Sequence, residues 1–569
     1  MVTRTKIVAT IGPERSICDP QNQLQDTRVS YSQMIAWMVQ AGVDVFRVNM
    51  SHRSPDGERE LRFVDSFRTV RYRWESQRKE VAIMGDLQGP KIRIGTFFDD
   101  PDGEIQLPTG KTDFILHCGK QVRGDESQVS VLYEDRPFEL PELVTSGTKI
   151  WLGDGEVLLE VREISGDGAL TCFVHSGGVI RGRRGVTFKG VSFDLETFTR
   201  KDREDLRFLM TVFGSELTYV ALSFVKNAED ILNFKCYMAA EYRRIFGTAG
   251  DLTAKLPGII AKIETKQAVA AIDEILDVAD GVMIARGDLG MQLDLEELTG
   301  VQKRIIHKAN IRGKVVITAT QMLDSMERNP IPTRAEVTDV YNAIIDGTDA
   351  VMLSGETSKG KYAIQAIQTM RKIASEAEAD YFEQTNAEDR FLNLLREAEE
   401  VFAVTQRRIA DRIKEYTDAG NQCFANEYRA LDHLLQSQQT TDRISHAACN
   451  LAIGIQANVI IAPTSSGQTA RMVARFRPQC AVIGAANQQI VASRLTLCFG
   501  VFPLNIMSGY DTNEEQFEEA CELSKSILIQ RPNGKNEPLL KAGELIVITA
   551  GYPLNQPGTT NLVKLHKVV

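Results

Sequence analysis

The chain has 569 residues, 43% hydrophobic and 25% charged, room for three or four domains of about 150 residues each. With 66 Lys and Arg against 76 Asp and Glu the formal charge is −10, which argues against general nucleic-acid binding but leaves room for a local basic pocket. No apolar run reaches the roughly 18–20 residues of a membrane span, and nine scattered cysteines without a C-x-x-C pair argue against a disulfide framework or zinc ribbon. The expectation is a soluble, multidomain protein of the reducing cytoplasm.

Short apolar runs recur through the first 355 positions: KIVAT at 6–10, VFRVNM at 45–50, VAIMGD at 81–86 and YVALSF at 219–224. They continue with IIAKIE at 259–264, VMIAR at 282–286, VVITAT at 315–320 and AVMLS at 350–354. Most gaps between these eight hold one helical pattern, such as SYSQMIAWMVQAG before the second. Strands apolar on both faces, alternating with helices, predict an α/β fold built on a closed (β/α)8 barrel. An open doubly wound sheet is the alternative.

One gap is too long for a loop, at roughly 130 residues between the third run and the fourth. Its alternating, turn-punctuated segments (DFILHC, KIWLGDGEVLLEVREI, LTCFVH) predict an all-β domain at 93–192, inserted as a lid over the catalytic end. The barrel then comprises 1–92 and 193–380. Residues 381–440 carry polar helical spacing and form a connection or inserted hairpin. A second α/β pattern (NVIIAP, AVIGAAN, GVFPLN, LIVITAG) makes a C-terminal domain at 441–569.

Barrel strand ends are where loops converge, and here they are chemically loaded. Lys262 and Glu264 alternate within IIAKIE and so share a face; Arg286-Gly287-Asp288 follows the next run. Thr320 ends the seventh run, with Ser354-Gly355-Glu356 ending the eighth. Glu264 and Asp288 from adjacent strands can share one divalent ion, and so few protein ligands suit Mg²⁺ better than zinc. A purely structural Lys–Glu–Asp network is the bland alternative. RVNMSH adds Arg47, Asn49, Ser51 and His52, while GDLQGPKIRIG adds Asp86, Leu87, Lys91 and Arg93. Arginines beside a metal point to a phosphate, hence phosphoryl transfer.

These motifs, in order and over nearly the whole chain, resemble the pyruvate kinase family: KIVATIGP, RVNMSH, GDLQGPKIR, AKIET, ARGDLG, ITATQMLDSM, NPIPTRAEVTDVYNAIIDGTDAVMLSGET and PGTTN. The resemblance implies phosphoryl transfer from phosphoenolpyruvate to ADP, giving pyruvate and ATP, with Mg²⁺ or Mn²⁺, a mobile lid and a homotetramer. By resemblance, Glu264 and Asp288 hold the metal and Lys262 stabilises the transferring phosphoryl group. Thr320 stands near the methylene carbon, with Ser354 and Glu356 in the proton-relay neighbourhood. The amides of Gly287 and Asp288 bind the substrate carboxylate. Arg47 contacts phosphate, while Asn49, His52, Arg93 and Lys201 line the nucleotide phosphates. Gln292 departs from the glutamate common at its position.

Two regulatory expectations follow from the resemblance. Asn49, Ser51, Asp86 and Leu87 occupy the family's monovalent-cation positions. Lys91 replaces the glutamate of K⁺-dependent members, and Leu87, Gln88 and Ile94 match the K⁺-independent ones, so K⁺ is not required. PTSSGQTAR places Thr464, Ser465, Ser466, Gly467, Gln468 and Thr469 at a strand-to-helix turn, either as simple N-capping or as a phosphate cradle. The resemblance favours an allosteric sugar-phosphate site there, closed by a terminal loop at 551–560. The alternatives to a pyruvate kinase are a Mg²⁺-dependent pyruvate-enolate aldolase or lyase, and a non-catalytic sugar-phosphate-binding regulator.

Overall fold

The eight apolar runs become β1 (Lys6–Thr10), β2 (Val45–Asn49), β3 (Ala82–Asp86), β4 (Leu217–Leu222), β5 (Gly258–Ile263), β6 (Gly281–Ala285), β7 (Val315–Ala319) and β8 (Ala350–Leu353). All pair in parallel, and β8 pairs back onto β1, which closes the barrel and excludes the open sheet. The computed structural model describes all residues except 1–2, 19–25, 76–78, 101–102, 141, 154, 192, 194, 248–251, 253–254, 507–511, 531–535 and 553–559.

Strand parity sorts the side chains. Val8, Met84, Ile260, Met283, Ile317 and Met352 belong to the inner cluster, whereas Ile7, Ile83, Ile259, Val282, Val316 and Val351 pack outward under the helices. Both sets are almost completely buried, which is why the runs read as continuously apolar rather than alternating.

The insertion is mostly antiparallel β-structure, with one parallel pair between Phe114–His117 and Gln128–Tyr133, and runs from the strand Ile92–Ile94 to the strand Val186–Phe188 with its own core of Phe114, Leu116, Val131, Ile150, Leu159 and Phe188. An ion pair to the barrel rim joins Lys189 Nζ to Asp294 Oδ1 at 2.6 Å. The C-terminal sheet runs β11–β10–β9–β12–β13, where β9 is Val459–Thr464, β10 Ala481–Ala486, β11 Val501–Asn505, β12 Leu545–Gly551 and β13 Thr560–Lys567.

Between them stands a helical hairpin, Ala387–Asp418 and Gln422–Gly454, turned at Gly420, whose φ of 72° suits glycine. The boundaries expected at 380/381 and 440/441 both fall inside continuous helices, Ala363–Gln384 and Gln422–Gly454. Polarity changes there without any helix-breaking residue, so composition shifted while the backbone did not. The hairpin turn rests on the barrel: Tyr416 donates to Glu229 at 2.7 Å, and Arg408 pairs with Asp277 at 2.7 Å. Cys236 and Cys423 are disulfide-bonded there. This corrects the cysteine reading at one pair; the partners lie 187 residues apart, beyond any local spacing rule. Among the described residues no helix is long and apolar enough to cross a membrane.

Candidate active site

The inward parity that fills the barrel with methionine and isoleucine puts polar residues at its C-terminal mouth. Two steps past Val8 is Thr10, past Val45 Arg47, past Met84 Asp86, and past Ile260 Lys262, then Glu264. Closure of the barrel brings them together. Lys262 Nζ lies 3.2 Å from Asp86 Oδ1 and 3.0 Å from Glu264 Oε1, and donates to Ser223 Oγ at 2.6 Å. Arg47 donates to Asp86 Oδ2 at 2.6 Å and to Thr10 Oγ1 at 3.0 Å. Glu264 is fixed from its other side by the Phe224 N–H at 2.7 Å.

Lys262, Asp86 and Glu264 are all buried, at 9%, 1% and 1% exposure, so their charges matter. Burial works against the Lys262 ammonium, but Asp86 and Glu264 outweigh it and hold its pKa above the usual lysine value. Burial likewise opposes ionisation of Asp86, and Arg47 with Lys262 reverses this to a lowered pKa. Glu264 stays raised: burial pushes it up, Lys262 offsets only part, and Asp288 adds repulsion. That residual negative charge suits a cation. Glu264 Oε1 and Asp86 Oδ1 are buried oxygens whose nearest partner is the Lys262 ammonium, at 3.0 and 3.2 Å. Among the described residues no three His, Cys, Asp or Glu side chains cluster as a ready-made metal site.

Opposite, Thr320 and Gln321 adopt positive φ of 68° and 53°, left-handed backbone that non-glycine residues avoid. Arg286 holds this turn. It donates to the carbonyls of Thr320 at 2.7 Å and Gln321 at 3.1 Å, and is itself braced by Asp339 at 2.7 Å. The strained turn presents Thr320 Oγ1 to the Gly287 N–H at 2.8 Å. The amide expected to meet a substrate carboxylate thus has a hydroxyl partner here. Asp288 lies in the first turn of the helix Arg286–Gln292. Glu356, 2% exposed, accepts from the Ser354 N–H at 2.7 Å and the Leu323 N–H at 3.1 Å; burial raises its pKa despite these bonds. Ser354 Oγ is buried without a partner.

A cavity of about 100 Å³ opens between lid and barrel, lined by Lys91, Phe188, Phe224, Thr265, Asp288 and Gln292. Lys91 lines it with a side chain that is still 28% exposed, its Nζ 4.0 Å from Asp288 Oδ1. Of the monovalent-cation positions, Asn49 Oδ1 accepts from the Ser51 N–H at 3.1 Å, and the Leu87 carbonyl accepts from Ser223 at 2.7 Å. His52 reaches solvent, but partial burial and then Arg93, Arg47, Arg59 and Lys91 keep its imidazole below the usual pKa. Lys201 donates to the Met50 carbonyl at 2.9 Å and pairs with Asp205, which also binds Arg53 at 2.9 Å.

In the C-terminal domain Thr464 Oγ1 accepts from the Gly467 N–H at 2.9 Å, and Gly467 is left-handed at φ 84°. Ser466 Oγ accepts from the Gln468 N–H at 3.4 Å, and the Thr469 hydroxyl meets that of Thr560 at 2.8 Å. Ser465 and Gln468 are partly exposed beside them. The closing loop expected at 551–560 lies, over 553–559, outside the described residues. Sequence reading missed Ser223, Thr10, Asp339 and the Lys189–Asp294 pair. Ser223 could have been found by continuing the inward parity of the fourth strand two residues beyond Ala221.

Comparison with known proteins agrees with this geometry. Residues 2–367 match the family described as pyruvate kinase, barrel domain, and residues 442–566 match pyruvate kinase, alpha/beta domain. The chain is 36% identical over 573 residues to a pyruvate kinase of Geobacillus stearothermophilus, covering 100% of this chain and 81% of that protein. It is 33% identical over 567 residues to that of Clostridium perfringens, covering 99% and 100%. A solved pyruvate kinase from Cryptosporidium parvum superposes with a TM-score of 0.76 at 27% identity, covering 100% of this chain and 96% of that one. A matched barrel carrying the Lys262–Glu264 and Asp288 strand ends, with a matched C-terminal domain, places this chain in the pyruvate kinase family.

Proposed function

We propose that the chain transfers the phosphoryl group of phosphoenolpyruvate to ADP, giving pyruvate and ATP. The observation that carries this reading is the buried Lys262 ammonium, anchored by Asp86, Glu264 and Ser223 at the barrel mouth. A fixed positive charge in a water-poor site stabilises negative charge as it develops, without reorganising. Lys262 therefore acts on the phosphoryl oxygens and on the enolate oxygen left behind. Arg47, with two N–H groups committed to Asp86 and Thr10, is pre-oriented to meet phosphate.

Mg²⁺ or Mn²⁺ fits between Glu264 and Asp288, because the buried Glu264 carboxylate is only partly offset by Lys262 and its repulsion with Asp288 is relieved by a cation. When bound, the ion neutralises charge on substrate oxygens. The Gly287 and Asp288 amides bind the substrate carboxylate, with Thr320 Oγ1 yielding the Gly287 N–H it holds here. Thr320 stands by the methylene carbon that must gain a proton. The partnerless Ser354 hydroxyl and the raised Glu356 carboxyl form its relay neighbourhood. Asn49, His52, Arg93 and Lys201 receive the nucleotide phosphates; a neutral His52 can do so only as a hydrogen-bond partner.

Three finer readings go with this one. Lys91 supplies the positive charge that other members take from K⁺. Residues 464–469 bind a sugar-phosphate effector. The working form is a cytoplasmic homotetramer. Pyruvate formation followed by a coupled assay tests the main reading: phosphoenolpyruvate with ADP should yield pyruvate, and phosphoenolpyruvate alone should not. Equal pyruvate without ADP would mean that the phosphoryl group passes to water instead of ADP, and none in either case would favour the lyase or the non-catalytic regulator.

A further inference from the structure

The hairpin turn meets the barrel at a point remote from the cleft, and two cysteines meet there. Cys236 is half-buried on the helix Ala228–Phe246, which packs outside β5. Cys423 is exposed at the second position of the helix Gln422–Gly454, capped by Asn421 through the Phe424 N–H at 3.3 Å. Their Cα atoms are 7.1 Å apart and their sulfurs are joined. The ion pair of Lys235 with Glu427 flanks the bond. We propose that Cys236 and Cys423 are a reversible thiol–disulfide modification site that fastens the helical hairpin to the barrel.

Three features single out this pair. The first is access. Cys423 reaches solvent, whereas the six other cysteines with described side chains (118, 172, 449, 480, 498 and 521) are all buried. Burial raises those six thiols, which removes the reactive thiolate. The second is activation: the first turn of a long helix carries partial positive charge, and a thiolate there is stabilised. The third is mechanical. Apart from this bond, the turn is tied by contacts to the buried Tyr416 and Asp277 and, nearer the bond, by partly exposed pairs such as Lys235 with Glu427, which hold weakly. Phe424 and Tyr428 are buried beneath the turn, so the hairpin stays docked when the bond is open. The bond sets how tightly the turn is held.

The chemistry is thiol–disulfide exchange with a low-molecular-weight disulfide, RSSR. The Cys423 thiolate attacks one sulfur of RSSR, forming a mixed disulfide and releasing RS⁻. The Cys236 thiolate then attacks the Cys423 sulfur and expels the second RS⁻. Two protein thiols lose two protons and two electrons, and RSSR becomes two RSH. Excess RSH runs the sequence backwards, so a reducing cytoplasm leaves the pair open and oxidation closes it.

The test uses the full-length protein equilibrated across ratios of oxidised to reduced glutathione, then alkylated and mapped as peptides. Cys236 and Cys423 should lose alkylation together and appear as one cross-linked peptide pair, reversibly. Hydrogen exchange over 416–428 should slow by about tenfold in the closed form, the range open to a local tether. Turnover of Cys423→Ser and Cys236→Ser should stay within about twofold of wild type, since neither residue lies in the cleft. The proposal is overturned if both thiols remain alkylatable at every ratio, or if the bond resists reduction by excess glutathione. It is equally overturned if Cys236→Ser, which can form only the mixed disulfide, shows the same slowing.

Discussion

The Lys91 ammonium stands 4.0 Å from Oδ1 of Asp288, so a residue of the β3 loop faces a carboxylate of the β6 loop across the mouth of the cleft. Both line the cavity under the lid. A fixed positive charge within several ångströms of a monovalent-cation site repels the ion by several kcal/mol at an effective dielectric near 20. Full activity with Mg²⁺ alone is expected. Lys91→Glu should lower activity at least about tenfold without K⁺ and recover it when K⁺ is added, a swing of two charge units. The measurement is turnover against KCl at constant ionic strength. Strong K⁺ activation of the wild type would sink the idea.

Lys262→Met should reduce kcat by at least about 10²–10³-fold while the KM for phosphoenolpyruvate changes far less, because the ammonium gains most in the transition state. Removing it also leaves Asp86 and Glu264 facing each other, so folding must be checked by melting. A folded variant with near-normal turnover would falsify the assignment.

Glu264→Ala and Asp288→Ala should each weaken Mg²⁺ or Mn²⁺ binding at least about tenfold, and with it substrate binding. Direct titration of Mn²⁺ in the absence of substrate reads this without reference to activity. Curves superimposing on wild type would remove these residues from the metal site.

Glu356 carries a pH signature. Burial raises its pKa above the ordinary 4.5, so the folded state prefers the protonated form. The stability this contributes is fully present below 4.5 and is lost as pH climbs toward the raised folded value. Glu356→Gln cannot ionise. The difference in Tm, variant minus wild type, should therefore shift in the variant's favour between pH 5 and pH 8. A shift of the opposite sign would contradict a buried, raised carboxyl.

Ser466→Glu should abolish activation by fructose bisphosphate or a sugar monophosphate with basal turnover unchanged, because a carboxylate repels an incoming phosphate. Ser466 is chosen over Thr469, which is buried against Thr560, where a larger side chain would disturb packing. Unchanged activation curves would move the effector site elsewhere.

The two periods of the backbone made much of the site legible in the sequence. A strand repeats every two residues, so the spacing of Lys262 and Glu264 alone placed both on one face. Extending that count inward from Ile260, Met84 and Val45 also orders Lys262, Asp86 and Arg47 around one mouth. Domain limits were less legible where helices run on. The helix Gln422–Gly454 crosses the expected 440/441 boundary because no glycine or proline interrupts it.

By itself the sequence determined the closed barrel and the inserted β-structure, because each depends on local periodicity and spacing. Only the tertiary structure decided who meets whom. Ser223 reaches Lys262, Arg286 grips the strained turn at 320–321, Lys189 crosses from the lid to Asp294, and Cys423 finds Cys236. Those contacts join segments 34 to 187 residues apart. They form only once barrel closure and helix docking have set the distances, and no repeat along the chain encodes that.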